Sequence, residues 1–202
     1  MLINLRNALM AGKRLPYDAE VEYLGSTGTQ WIDTGFQPTS TTDASVKFTA
    51  TQKGNSWVMG AATWWGVHCN FGASPKEVEF TNSSVGQYRA GVAYTQGEIV
   101  TLSLQGSEVF ADGLKIGEIT RLAASTNIGI FGYHDTNGTG TLLITGRVYF
   151  CNILDNSVPV RSFRPVRVGT GSTWEGAMMD VLTRRIYRNA GTGAFSYGAD
   201  KN

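Results

Sequence analysis

The stretch Val21-Glu22-Tyr23-Leu24-Gly25-Ser26-Thr27-Gly28-Thr29-Gln30-Trp31-Ile32-Asp33-Thr34-Gly35 decides the fold. Gly25, Gly28 and Gly35 supply turn positions, while Tyr23, Trp31 and Ile32 supply core and edge packing around a strand that enters its sheet twice. Its counterpart near the other end reads Val160-Arg161-Ser162-Phe163-Arg164-Pro165-Val166-Arg167, then Gly176-Ala177-Met178-Met179-Asp180 and Tyr187-Arg188-Asn189-Ala190-Gly191-Thr192-Gly193-Ala194-Phe195. The run Asn189 to Gly193 is a tight loop that would bring the last strand back beside the first and cover a sheet edge.

Working outward, hydrophobicity alternates with period two from Tyr17 onward. The spacing predicts sixteen short strands, among them residues 44–51, 56–61, 66–71, 77–81, 99–105, 146–154 and 158–164. Asp112-Gly113 is a two-residue hairpin turn and Gln105-Gly106-Ser107 a second tight turn. The composition agrees: 25 glycines in 202 residues break long helical patterns, and 42% hydrophobic residues are enough for one core. The fold class expected is all-β, an antiparallel two-sheet jelly-roll sandwich over residues 17–202. Residues 1–16 form a separate arm. There Leu2, Leu5, Leu9 and Met10 recur at helical spacing beside Arg6, and Pro16 ends the pattern. A helix this short is marginal alone, so it must pack on its own sandwich or on another protein.

The net charge of +1 hides an uneven distribution. Residues 1–14 carry three basic groups and no acid, residues 15–142 carry 6 basic and 12 acidic groups, and residues 143–202 carry 8 basic and 4 acidic groups. The last segment includes Arg161, Arg164, Arg167, Arg184, Arg185 and Arg188, read as solvated arginines rather than an anion site. No dense basic face speaks for nucleic acid. The opening residues lack a secretory leader, and no stretch reaches the about 18 apolar residues of a membrane span, so synthesis in the cytoplasm without membrane insertion is expected. Cys69 and Cys151 fit as buried free thiols, with a single disulfide between them as the other reading. His68 and His134 have no metal-ligand spacing to the cysteines, so no metal or other cofactor is expected.

The two end motifs resemble the concanavalin A-like (laminin G-like, lectin/glucanase) jelly-roll modules of gut bacteria and their phages. In that family a strand close to EYLxSTGTQYIDTG opens the sandwich, and VRDFxPxR followed by YxNAGTGxF closes it. The likeness spans residues 20–197, and its middle is matched only by strand rhythm. It implies a non-catalytic lectin-like sandwich, either a structural or decoration protein on the surface of a phage virion with glycan adhesion, or a free carbohydrate-binding module. In the first case residues 2–15, through Leu2, Leu5, Arg6, Leu9 and Met10, attach the protein to virion proteins or to a second copy.

Glucanases on this fold carry a Glu-x-Asp-x-x-Glu strand, which is absent here. Asp18-Ala19-Glu20-Val21-Glu22 and Glu77-Val78-Glu79 place acids on one face, and each reads as an exposed polar strand face. No Gly-x-Ser-x-Gly elbow or phosphate loop occurs, so no enzymatic activity is expected, with a degenerate glucanase as the weakest option. Glycan sites need aromatic faces for the sugar ring and polar groups for its hydroxyls. Two stretches qualify. Trp64 and Trp65 are adjacent in a turn and cannot both enter one core, although both could cap it. Tyr133, His134, Asp135 and Asn137 lie in or beside a polar loop that follows an apolar strand. The Asp135 and Asn137 oxygens also suit calcium, but one carboxylate is too few to support it.

Overall fold

The computed structural model describes residues 15–51, 54–72, 75, 77–82 and 89–201, and every regular element among them is a strand. In chain order these are β1 (Ala19–Glu20), β2 (Leu24–Thr27), β3 (Ile32–Asp33), β4 (Thr42–Ala50), β5 (Asn55–Ala61), β6 (Trp65–Asn70), β7 (Glu77–Asn82), β8 (Arg89–Ala93), β9 (Val100–Gln105) and β10 (Glu108–Ala111). There follow β11 (Leu114–Glu118), β12 (Gly129–Ile130), β13 (Tyr133–His134), β14 (Gly140–Thr141), β15 (Thr145–Asp155), β16 (Val158–Gly169), β17 (Trp174–Asp180), β18 (Arg185–Tyr187) and β19 (Ser196–Tyr197). The larger sheet runs β11-β10-β9-β4-β15-β16-β17-β18, with β1 on β16, β2 on β15 and β19 on β2. The smaller runs β14-β13-β5-β6-β7-β8, with β12 joining β3 to β5. Pairing between these strands is antiparallel except that β13 lies parallel to β5, Tyr133 beside Gly60, and an isolated bridge from Leu143 to Trp57 is parallel too. The protein is thus an all-β, two-sheet sandwich. The expected arm helix, with Leu2, Leu5, Arg6, Leu9 and Met10, lies outside the described residues.

The core forms where the apolar faces meet. Phe48, Leu102, Val148 and Cys151 of the larger sheet share it with Met59, Val67, Cys69 and Phe80 of the smaller. Each large side chain buried there contributes about 1.5–3 kcal/mol. Both cysteines are free and buried. Burial pushes the Cys151 thiol up to about 12, and raises that of Cys69 as well, so neither is a nucleophile at neutral pH.

The two end motifs bind each other. β19 pairs with β2, Ser196 opposite Gly25. Ahead of that pairing, the Ala190 N–H donates to the Trp31 carbonyl at 2.8 Å and the Thr192 N–H to the Thr29 carbonyl at 3.0 Å. Asn189 Oδ1 accepts from the N–H groups of Trp31 at 3.1 Å and Gly191 at 2.9 Å. A Cβ at position 191 would collide with the Thr29 carbonyl and sit 3.0 Å from the Trp31 ring, so only glycine lets the closing loop lie this close.

One strand departs from expectation. The sequence pattern gives this strand as 158–164, yet β16 continues through Pro165 to Gly169. The reason is a change of neighbour. β15 pairs with β16 as far as Phe163, and β1 takes over at Val166. The Pro165 carbonyl faces this junction and accepts from Val21 N–H at 3.0 Å, so the proline stands where the strand changes neighbour.

Candidate functional site

Strand alternation gives the smaller sheet a second face. Val67, Cys69, Val78 and Phe80 point into the core, so His68 and Glu79 point away from it. The register sets Trp57 of β5 opposite His68 of β6, His68 opposite Glu79 of β7, and Glu79 opposite Gly91 of β8. This gives a continuous row across four strands.

His68 Nδ1 lies 2.9 Å from Glu79 Oε1, and Glu79 Oε2 lies 3.4 Å from an Arg89 guanidinium nitrogen. His68 is 6% and Glu79 4% exposed, while Arg89 reaches solvent. With the carboxylate ionised and accepting, the Nδ1–H donates to it, and in a neutral imidazole Nε2 then carries the lone pair. His68 Nε2 and the indole Nε1 of Trp57 are buried without a hydrogen-bond partner among the described residues. The Trp57 ring packs against His68 with centroids 5.0 Å apart.

Above this row stands an aromatic cluster. Tyr133 lies 5.1 Å and Trp64 5.9 Å from Trp57, and Trp64 and Tyr133 are 6.3 Å apart, centroid to centroid. Gly60 makes room for two of the rings, because a Cβ there would sit 2.6 Å from the Trp57 ring and 3.2 Å from that of Tyr133. Trp64 is 43% exposed.

The backbone holding these rings is strained. Thr63 and Trp64 have φ of 78° and 65°, and Phe131 and Leu142, on either side of the β13–β14 pair, have φ of 69° and 48°. Four of the eight left-handed non-glycine residues among those described therefore lie around one cluster. Each costs about 1–3 kcal/mol, and such strain concentrates at binding sites, where it fixes a side chain against its preference. The Tyr133 phenol is raised, chiefly by burial, with the backbone amides of Trp64 and Thr63 acting in the opposite direction.

The six residues singled out from sequence separate. Trp64 and Tyr133 come together. Trp65 is 1% exposed and stands edge-on to Phe80 inside the core, 5.4 Å between centroids, so it presents nothing to a ligand. His134 is buried against Trp31 at 5.0 Å. The Asp135 carboxylate accepts from the N–H groups of Asn137 and Thr139 and from the Thr139 hydroxyl. These bonds, the Thr139 amide foremost, hold its carboxyl below the usual range. The Asp135 oxygens thus cap their own turn, Asn137 is exposed, and no cluster of three metal-ligating side chains occurs among the described residues.

Trp57, His68 and Arg89 went unread as site residues, and Glu79 was misread. The exposed polar face expected of Glu77-Val78-Glu79 does not hold for Glu79, which is buried because the His68 imidazole and the Arg89 guanidinium cover its carboxylate. Four arginines of the last segment find internal partners instead of forming one patch. Arg161 donates to the Thr34 and Val160 carbonyls, Arg164 to Asn152, and Arg167 and Arg188 pair with Asp200 and Glu175.

No protein-family model and no curated protein matches the chain. Solved structures do. A candidate carbohydrate-binding protein from Bacteroides ovatus superposes with a TM-score of 0.60 at 12% identity, covering 89% of this chain and 60% of that one. A heptameric pentraxin from Limulus polyphemus aligns over 72% of this chain and 81% of its own, with a TM-score of 0.48 and 9% identity. The chain therefore spans 60% of the length of the Bacteroides protein, and what it shares with it is the β-sandwich fold.

Proposed function

We propose that this chain is a non-catalytic, lectin-like glycan-binding sandwich whose ligand stacks on Trp64 and Tyr133. The observation that carries the reading is the conformation of Trp64. A left-handed backbone keeps a large indole half in solvent beside two more rings, which folding alone does not require. Flat aromatic faces suit the apolar face of a pyranose, and Trp64 holds one such face in solvent against the buried Trp57. Both Glu79 oxygens are engaged, which favours a fixed acceptor over a hydrolytic nucleophile. The fold shared with the Bacteroides ovatus protein supports the same reading.

The test is Trp64→Gly. Glycine adopts this φ freely, so relief of strain offsets the lost ring contact and stability is expected to change by less than about 1 kcal/mol. Glycan affinity is expected to fall about tenfold. Equal binding by both proteins on a glycan array would reject the site. In the phage setting that the end motifs suggest, the sandwich would present this face from a particle. Deleting residues 2–15 should then leave a folded protein that no longer joins the virion, and unchanged incorporation would contradict that role.

A further inference from the structure

The geometry points to a second binding site, on the outer face of the larger sheet, for an acidic saccharide whose carboxylate or sulfate is held by Arg147. A groove of about 430 Å³ lies there, lined by Thr49, Thr51, Thr145, Ser196, Arg147 and Tyr149 among others. Its lining contains no carboxylate. A break in register between Val148 and Phe150 makes Tyr149 a bulge in the central β4–β15 pair. Bulges of this kind re-aim side chains beside sites. The floor is bare backbone, because a Cβ at Gly146 would strike the Thr49 carbonyl and one at Gly25 the Ser196 hydroxyl.

Two cations flank this groove without an acid. The Arg147 guanidinium lies 4.3 Å from the centre of the Tyr23 ring, and the Lys47 ammonium 5.8 Å from that of Tyr149. Tyr23 and Tyr149 pack edge to face at 5.8 Å. Among the described residues neither cation has a hydrogen-bond or ion-pair partner, whereas Arg89, Lys115, Arg121, Arg167 and Arg188 each contact a carboxylate. The tyrosine face thus orients Arg147 while leaving its N–H fork free for a planar or tetrahedral oxyanion.

The hydroxyls select the rest of the ligand. Ser196 Oγ donates to the Gly25 carbonyl and Thr51 Oγ1 to the Thr145 carbonyl, so each turns lone pairs outward as an acceptor. Acceptors along a groove with a cation at its rim match a molecule rich in O–H donors that carries one anionic group. An acidic sugar has that chemistry.

The full chain is titrated by NMR with methyl β-D-glucuronide, glucose 6-sulfate and methyl β-D-glucoside, following the Arg147 side-chain N–H and the Tyr149 ring. The inference predicts shifts with one or both acidic sugars, at least about tenfold weaker binding of the neutral glucoside, and loss of the difference in Arg147→Gln. A response to the sulfate alone or to the glucuronide alone identifies which anion the groove takes. Trp64→Gly should leave these shifts intact, so failure of the aromatic site and failure of this one are told apart. Equal response to glucoside and glucuronide would overturn the inference. So would sodium sulfate binding as tightly as the sugars, or an aspartate-rich peptide displacing them, since the groove would then read charge alone.

Discussion

Glu79→Ala is expected to cost about 2–4 kcal/mol, the largest loss from any single polar side chain on the outer face of the smaller sheet. The substitution leaves His68 Nδ1 buried without its acceptor at 2.9 Å and removes the only carboxylate contacting Arg89 among the described residues. Denaturant unfolding measures it, and for a chain of this size the loss corresponds to a melting temperature lower by roughly 5–15 °C. Glu79→Gln keeps an oxygen for the Nδ1–H and should cost about half as much. If alanine and glutamine were equally mild, within about 0.5 kcal/mol of the parent, the row would be a surface feature and the case for a built polar floor under Trp64 would fall.

Gly191→Ala should be nearly as damaging, about 2–3 kcal/mol, for a different reason. The added methyl meets the Thr29 carbonyl and the Trp31 ring, and the closing loop can retreat only by giving up the bonds from Ala190 to Trp31 and from Thr192 to Thr29. Gly138→Ala is the control. That glycine has φ of 79° with no atom within 4 Å of an added Cβ, so only the conformational cost of about 1 kcal/mol applies. Similar losses at both positions, read by thermal unfolding, would show that the two end motifs do not clamp one another.

Those contrasts show which parts of the molecule the chain reveals locally. The clamp was legible because its parts are turn formers: Asn189, Gly191 and Gly193 announce a tight loop, and Gly25 and Gly28 announce the strand it returns to. Asp112 and Gly113 were legible for the same reason, and both take positive φ in the β10–β11 hairpin. The exposure of one of two adjacent tryptophans followed from alternation. The row Trp57, His68, Glu79 did not follow, because adjacency across strands depends on register. Between Ala61 and Met59 the β5–β6 pairs fit one turn centre, but the irregularity between Met59 and Trp57 shifts the register by one and brings Trp57 opposite His68. Nothing in the residues around Val58 signals that shift. The bulge at Tyr149 escaped notice in the same way, and with it the groove beside Arg147. Glu79 escaped a sequence reading because a carboxylate on an alternating strand is ordinarily solvated, and the imidazole and guanidinium that allow its burial come from two other strands.

The most direct test of the aromatic face is a titration of the protein with soluble oligosaccharides, reading the indole N–H signals of its five tryptophans. Trp174 is an internal control: it is also half exposed, yet it sits on the larger sheet under Arg167, 4.6 Å from the guanidinium to the ring centre. Trp64 and Trp57 should shift together with one saturation curve while Trp174 and Trp65 stay still. Binding that moves Trp174 and leaves Trp64 unchanged, or no response at Trp64 to any sugar of a broad panel, would contradict the aromatic site.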